Sequence, residues 1–225
     1  ELVEDILRFK ASMHKIDSRA HIDNPVVYFS INNIHSILSL LLDTMQGESP
    51  ADYAQLSSDF KDQFGVELDA LVDNVGDEMG LSVVSLEPNE LCEGDLTYCD
   101  MPYESEIFAA LEVEDGSFFR DVLDYYIRRS AEESGEDAAA MFDKDGDVYT
   151  YSYMESPQTP KEFRPSIVFG DGYIFFSTHY EKRRDCFDEQ CGSLVYTPSN
   201  AKLLVDFSSL GSIVSARVEA EKEYL

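Results

Sequence analysis

Three stretches of the chain share one order of residue types: a short apolar strand, a small polar cap, then an amphipathic helix. They begin at Val26 (VVYFSINNIHSILSLLLDTM), Ile107 (IFAALEVEDGSFFRDVLDYYI) and Leu203 (LLVDFSSLGSIVSARVEA), with starts about 80 and about 95 residues apart. This spacing predicts a duplicated unit with the opening of a third copy at the C-terminal end. In the first copy Val26, Val27, Tyr28, Phe29 and Ile31 favour a pleated strand, and Asn32 or Asn33 is placed to cap the helix. Ile34, Ile37, Leu38, Leu41 and Met45 then recur at helical spacing. The second copy has Asp115 or Ser117 as cap and Phe119, Val122, Leu123, Tyr126 and Ile127 as stripe; the third has Ser208 or Ser209 ahead of Leu210, Ile213, Val214 and Val218.

A second element recurs after each of the first two units, a Gly-Asp step into an apolar strand: GDEMGLSVVSL from Gly76 and GDGYIFFST from Gly170. The approach to Gly76 is punctuated by Ser49 as an N-cap, Pro50 at the first helical position and Gly65 as a helix stop. A short helix with Leu68, Leu71, Val72 and Val75 inward is expected next, ending at Gly76. Gly170-Asp171-Gly172 lies between two apolar runs and signals an antiparallel hairpin.

The fold expected is α+β, with antiparallel sheets, packed amphipathic helices and internal duplication. Residues 1–21 read as an N-terminal helix striped by Leu2, Ile6, Phe9 and Met13; residues 22–100 and 101–200 read as the two repeats. Residues 201–225 read as the start of a third strand-helix unit or as an element completing the first.

Charge narrows the partners. Against 45 acidic residues stand 17 basic ones, a formal net of −28 that repels nucleic acid and anionic membrane surfaces. The acidity leaves a protein, a cell-surface polymer or divalent cations as expected partners. The four cysteines fall into two local pairs in polar stretches, Cys92 with Cys99 (CEGDLTYC) and Cys186 with Cys191 (CFDEQC). Closed as disulfides they place the chain in an oxidising, extracytoplasmic compartment, whether periplasmic, secreted or envelope-anchored. A four-cysteine zinc site lacks its usual C-x(2)-C knuckle here. The chain starts at Glu1 with no signal peptide or long apolar run, so membrane attachment is expected only through an anchor outside this sequence.

The run GVELDALVDNVGDEMGLSVVSL, a strand and helix opening on an acidic cap, GDGYIFFST and TPSNAKLLVDFSSL together resemble an uncharacterised family of bacterial cell-envelope proteins. Gly76, Asp77 and Glu78 match that family's Gly-(Gly/Asp)-Glu step into a strand, while Gly170-Asp171-Gly172 lacks the glutamate. The resemblance implies repeated strand-helix units over residues 22–215 and no activity, the family being a domain of unknown function.

Candidate chemistry is sparse. Asp143, Asp145 and Asp147 alternate as the oxygen ligands of a calcium loop do, but glycine is fourth and Met154 twelfth where an EF-hand needs glycine sixth and glutamate twelfth. A turn before the VYTYSY strand explains the same residues. The histidines, His14, His21, His35 and His179, show no metal-binding spacing, and neither a G-x-S-x-G elbow nor a phosphate-cradling glycine loop is present. No catalytic residue and no cofactor is called. The basic island Lys182, Arg183 and Arg184 is a candidate for an acidic partner or an anion, with Glu181 and Asp185 as rival intramolecular counterions. Tyr149, Tyr151 and Tyr153 alternate onto one strand face, a contact surface if exposed and a sheet face under helices if not. The expected function is a non-catalytic extracytoplasmic binding or scaffold module. A hydrolase-like enzyme with an acidic cleft between the repeats and a calcium-dependent adhesion or sensor domain are the alternatives.

Overall fold

The computed structural model describes residues 16, 20–22, 25–89, 103–135, 142–152, 163–170, 172–188 and 201–206. In chain order they form β1 (Val27–Asn32), α1 (Ile34–Glu48), α2 (Pro50–Phe64), α3 (Leu68–Asn74), β2 (Val75–Pro88), β3 (Tyr103–Val113) and α4 (Gly116–Ser134). There follow β4 (Phe142–Asp145), β5 (Val148–Tyr151), β6 (Ser166–Phe169), β7 (Tyr173–Ser177), a 3-10 turn (Glu181–Arg183), the short α5 (Asp185–Asp188) and β8 (Ala201–Val205). The eight strands make one sheet, ordered β4-β5-β6-β7-β3-β2-β1-β8, and every neighbouring pair is antiparallel. The fold is α+β.

Both expected repeats therefore feed one sheet. β1 is paired by β2, which returns after three helices, and β3 by β7, which returns after α4 and three further strands. β8 adds antiparallel to the outer side of β1.

Alternation along the strands gives the sheet two apolar faces. The front face carries Tyr28, Phe108, Ala110, Val168 and Phe175, which close a core with Ile16, Ala20 and Ile22 from the N-terminal segment and with Tyr180, Cys186 and Phe187. The back face carries Tyr149, Ile167, Phe169 and Ile174 under Phe119, Leu123 and Ile127 of α4. α1 packs on β2, and α2 bridges α1 to α4, so the long helices share the back.

Close backbone approach explains two glycines. At Gly80 an added Cβ would lie 2.4 Å from the Ala20 Cβ, so the N-terminal segment seats on β2 only over a bare backbone. Ser82 fixes it there, its Oγ donating to the Ala20 carbonyl at 2.7 Å and accepting from the Ile22 amide at 3.3 Å. Gly76 does not end a helix as expected: α3 stops at Asn74 and Gly76 lies inside β2, where a Cβ would meet Glu112 Cγ at 2.6 Å. The β2–β3 register slips beside it, between Val75 and Met79, bringing the two backbones together.

The helix starts divide by chemistry. Asp115 caps α4, its side chain accepting from the Ser117 hydroxyl at 2.6 Å and the Ser117 amide at 2.8 Å, and these hydrogen bonds, the hydroxyl's first, hold its carboxyl below the usual range. Asn33 makes no side-chain cap on α1. It adopts a left-handed backbone (φ 64°), which asparagine tolerates better than most residues, and so turns β1 into the helix. Ser49 likewise makes no side-chain cap; its amide closes α1 on the Met45 carbonyl while Pro50 opens α2. Gly65 ends α2 at φ 76°, as the sequence predicts. Gly172 (φ 74°) turns β6 into the antiparallel β7.

Candidate functional site

Two charged clusters lie on opposite faces of the sheet. On the front, Glu106 of β3 points inward with its side chain only 2% exposed. Its Oε2 accepts from Lys182 Nζ at 2.7 Å, and its Oε1 takes both Nε and Nη2 of Arg183. Burial pushes the Glu106 carboxyl up, but the hydrogen bonds and charges of Lys182 and Arg183 outweigh it and hold the pKa below the ordinary value. Arg183 is itself 19% exposed and Lys182 53%, so the Arg183 arm is the buried one.

The cluster gives two residues of the basic island an intramolecular counterion. Lys182 and Arg183 are committed to a carboxylate far away in sequence, and Arg184 alone of the three carries no ion pair among the described side chains. Its structural role is clear from placement. The turn Glu181–Arg183 carries Tyr180 and leads to Phe187, whose rings stack at 5.3 Å and cover the Phe108 and Phe175 rings. Glu106 therefore clamps that aromatic cover onto the front of the sheet. Beside it Thr178 is saturated: its Oγ1 accepts from the Ile107 amide at 2.9 Å and donates to the Ser105 carbonyl at 2.9 Å.

On the back, the Tyr149 hydroxyl donates to Asp124 Oδ1 of α4 at 2.8 Å. Lys144 Nζ reaches Asp124 Oδ2 at 3.0 Å and sits 4.6 Å from the Tyr149 ring centroid. Burial, the largest cause, raises the Tyr149 phenol pKa; Lys144 acts against it and the hydrogen bond to Asp124 adds to it. With Tyr149 only 1% exposed, the tyrosine face does not serve as a solvent contact surface, because α4 lies over it. Tyr151 is half-buried against Phe142, and Tyr153 lies outside the described residues.

The aspartate run forms the β4–β5 hairpin. Gly146 at φ 60° and Asp147 are its two turn residues, closed by Asp145 opposite Val148, the pattern of a turn with glycine first. Asp147 Oδ1 pairs with Arg120 Nη2 at 2.6 Å, while Asp143 and Asp145 are exposed on the strand. Among the described residues no group of three or more His, Cys, Asp or Glu side chains comes together as a metal site. His35 bonds the Val72 carbonyl at 3.0 Å and His179 is buried against Thr178. Cys92, Cys99 and Cys191, and with them the two expected disulfides, lie outside the described residues. No helix among the described residues is long and apolar enough to cross a membrane.

Solvent-facing concavities lie between the helices. One of about 410 Å³ separates the end of α2 from α4 and is lined by Phe64, Val66, Asp121, Asp124, Tyr125 and Arg128. Arg128 is exposed, and its guanidinium lies 5.5 Å from the Tyr125 ring centroid. No sequence motif marked this pair; the only signal was the i, i+3 spacing of an aromatic and an arginine on a helix. No family model, no curated protein and no solved structure matches the chain.

Proposed function

We propose that this chain is a non-catalytic binding or scaffold module of the bacterial cell envelope, acting outside the cytoplasm. The observation that carries the reading is the way the reactive side chains close on one another. Glu106, Lys182 and Arg183 saturate each other on the front, and Asp124, Lys144 and Tyr149 do so on the back. Each cluster fastens a covering layer to the sheet. The resemblance of the Gly76-Asp77-Glu78 step to an envelope family and the two local cysteine pairs, Cys92 with Cys99 and Cys186 with Cys191, support the compartment.

The contact surface in this reading is the α2–α4 groove. Arg128 is exposed over the half-buried Tyr125 ring and stands in the same groove as the exposed Asp121, a cation and a carboxylate to which the hydroxyls of a cell-surface polymer can bond. The experiment is co-sedimentation of the chain with purified peptidoglycan sacculi. Retention that falls on Tyr125→Ala or Arg128→Glu, with no soluble fragments released, is the expected result. Release of soluble fragments by turnover, or no retention of the parent chain, overturns the proposal.

A further inference from the structure

The two edges of the sheet are built differently. β4 at one edge reads Phe142-Asp143-Lys144-Asp145, with its last three residues exposed; charges of this kind blunt a strand edge against further pairing. β8 at the other edge reads Ala201-Lys202-Leu203-Leu204-Val205, with Leu203 64% and Leu204 40% exposed.

Hydrogen-bond parity shows what that edge offers. The Asp206 amide donates to the Val26 carbonyl at 2.9 Å, which makes Lys202, Leu204 and Asp206 the residues whose backbone groups face β1. Ala201, Leu203 and Val205 therefore turn their amides and carbonyls outward. Their side chains, all apolar, share the back face, where Leu203 extends the row Phe29, Leu81, Ala109 and Phe176 across the sheet.

We propose that β8 is a self-association edge, on which the β8 of a second copy of this chain adds antiparallel about a two-fold axis through Leu203. The register is self-complementary. Leu203 meets Leu203 of the second copy, and Ala201 meets Val205, all as hydrogen-bonded pairs of outward-facing residues. Lys202 lies opposite Leu204 on the front face, so no like charges meet. A stable dimer buries about 800 Å² per partner, more than a five-residue edge provides. Each copy also carries a net charge of −28. The association is therefore weak and strengthens as salt screens the repulsion.

The test is a Leu203→Cys variant under mild oxidation, with the parent chain as background and Asp143→Cys on the opposite edge as control. Hydrogen-bonded antiparallel residues lie about 5.5 Å apart between Cα atoms, within the range a disulfide spans. Covalent dimer forming at least roughly tenfold faster at Leu203→Cys than at Asp143→Cys, and faster still in high salt, is the expected result. In sedimentation velocity Leu203→Lys, which sets two ammonium groups on the axis, removes the salt-promoted dimer and leaves the melting temperature unchanged. Equal cross-linking at the two edges overturns the proposal, as does a parent chain that stays monomeric at every salt and protein concentration. A monomer whose Leu203 and Val205 amides are protected from exchange assigns the edge to residues 207–225 instead, and binding there by another protein's strand alone assigns it to a different partner; both overturn it.

Discussion

Replacing Glu106 by glutamine keeps the shape of the side chain and removes the charge that Lys182 and Arg183 share. Breaking a fully buried ion pair from one side costs about 3–5 kcal/mol, because the surviving charge stays desolvated. Here Lys182 is 53% exposed and can return to water, so its arm counts as a surface pair of about 0–1 kcal/mol; Arg183, at 19%, keeps most of the penalty. Glu106→Gln is therefore expected to cost about 2–4 kcal/mol at pH 7. In a chain of 225 residues, each kcal/mol shifts the melting temperature by about 2–4 °C, giving a fall of roughly 4–16 °C. Lys182→Gln should lower it by no more than about 2–4 °C. Because the folded Glu106 pKa lies below its unfolded value, its contribution is present above about pH 4.3 and is lost as pH falls through the folded value. Melting curves of parent and variant followed by circular dichroism should thus converge in acid. A fall under about 2 °C at pH 7, or a gap that persists at acid pH, would refute the clamp.

Tyr149→Phe deletes one buried hydrogen bond to Asp124 and should cost about 1 kcal/mol in urea denaturation, with Lys144→Met similar or smaller because the ammonium is half in water. Gly80→Ala drives a methyl group into Ala20 and should cost about 1–3 kcal/mol, and limited proteolysis near residues 16–22 should accelerate before the core unfolds. Tyr53→Phe should remove a phenol that titrates at about 12 in ultraviolet absorbance, a value raised first by the hydrogen bond to Asp69, and Asp69→Asn should return that titration toward pH 10.

The local signals in the sequence fared according to how much they depended on neighbours. Pro50, Gly65, Asp115 and the Gly170 hairpin depend on backbone preference alone and are found where residue type predicts. Asn33 and Ser49 stand at the N-cap positions but make no side-chain cap, and the role of Gly76 is decided by long-range pairing: Glu112 sits across from it only after β3 pairs with β2. The same holds for the clusters. Glu106 and Arg183 are 77 positions apart, and no spacing rule joins them until β3 and the turn after β7 are brought side by side. Tyr149 carried a legible alternation but not its direction, since a period of two marks a face without saying which layer covers it. That the apolar runs form an α+β sheet was readable from periodicity; that they form one sheet rather than two was not, because the pattern is the same in either case.

The β1–β8 pairing also sets a schedule for synthesis. β1 joins β2 on one side early, but its other partner begins at Ala201, opposite Ile31 and 170 positions later (201 − 31). At about 5–20 residues per second, a nascent chain holds that flank open for roughly 10–35 s. During this interval Val27, Phe29 and Ile31 lie on a strand that can template another nascent chain, so chains arrested before residue 201 should aggregate or recruit a holdase, whereas completed ones should not.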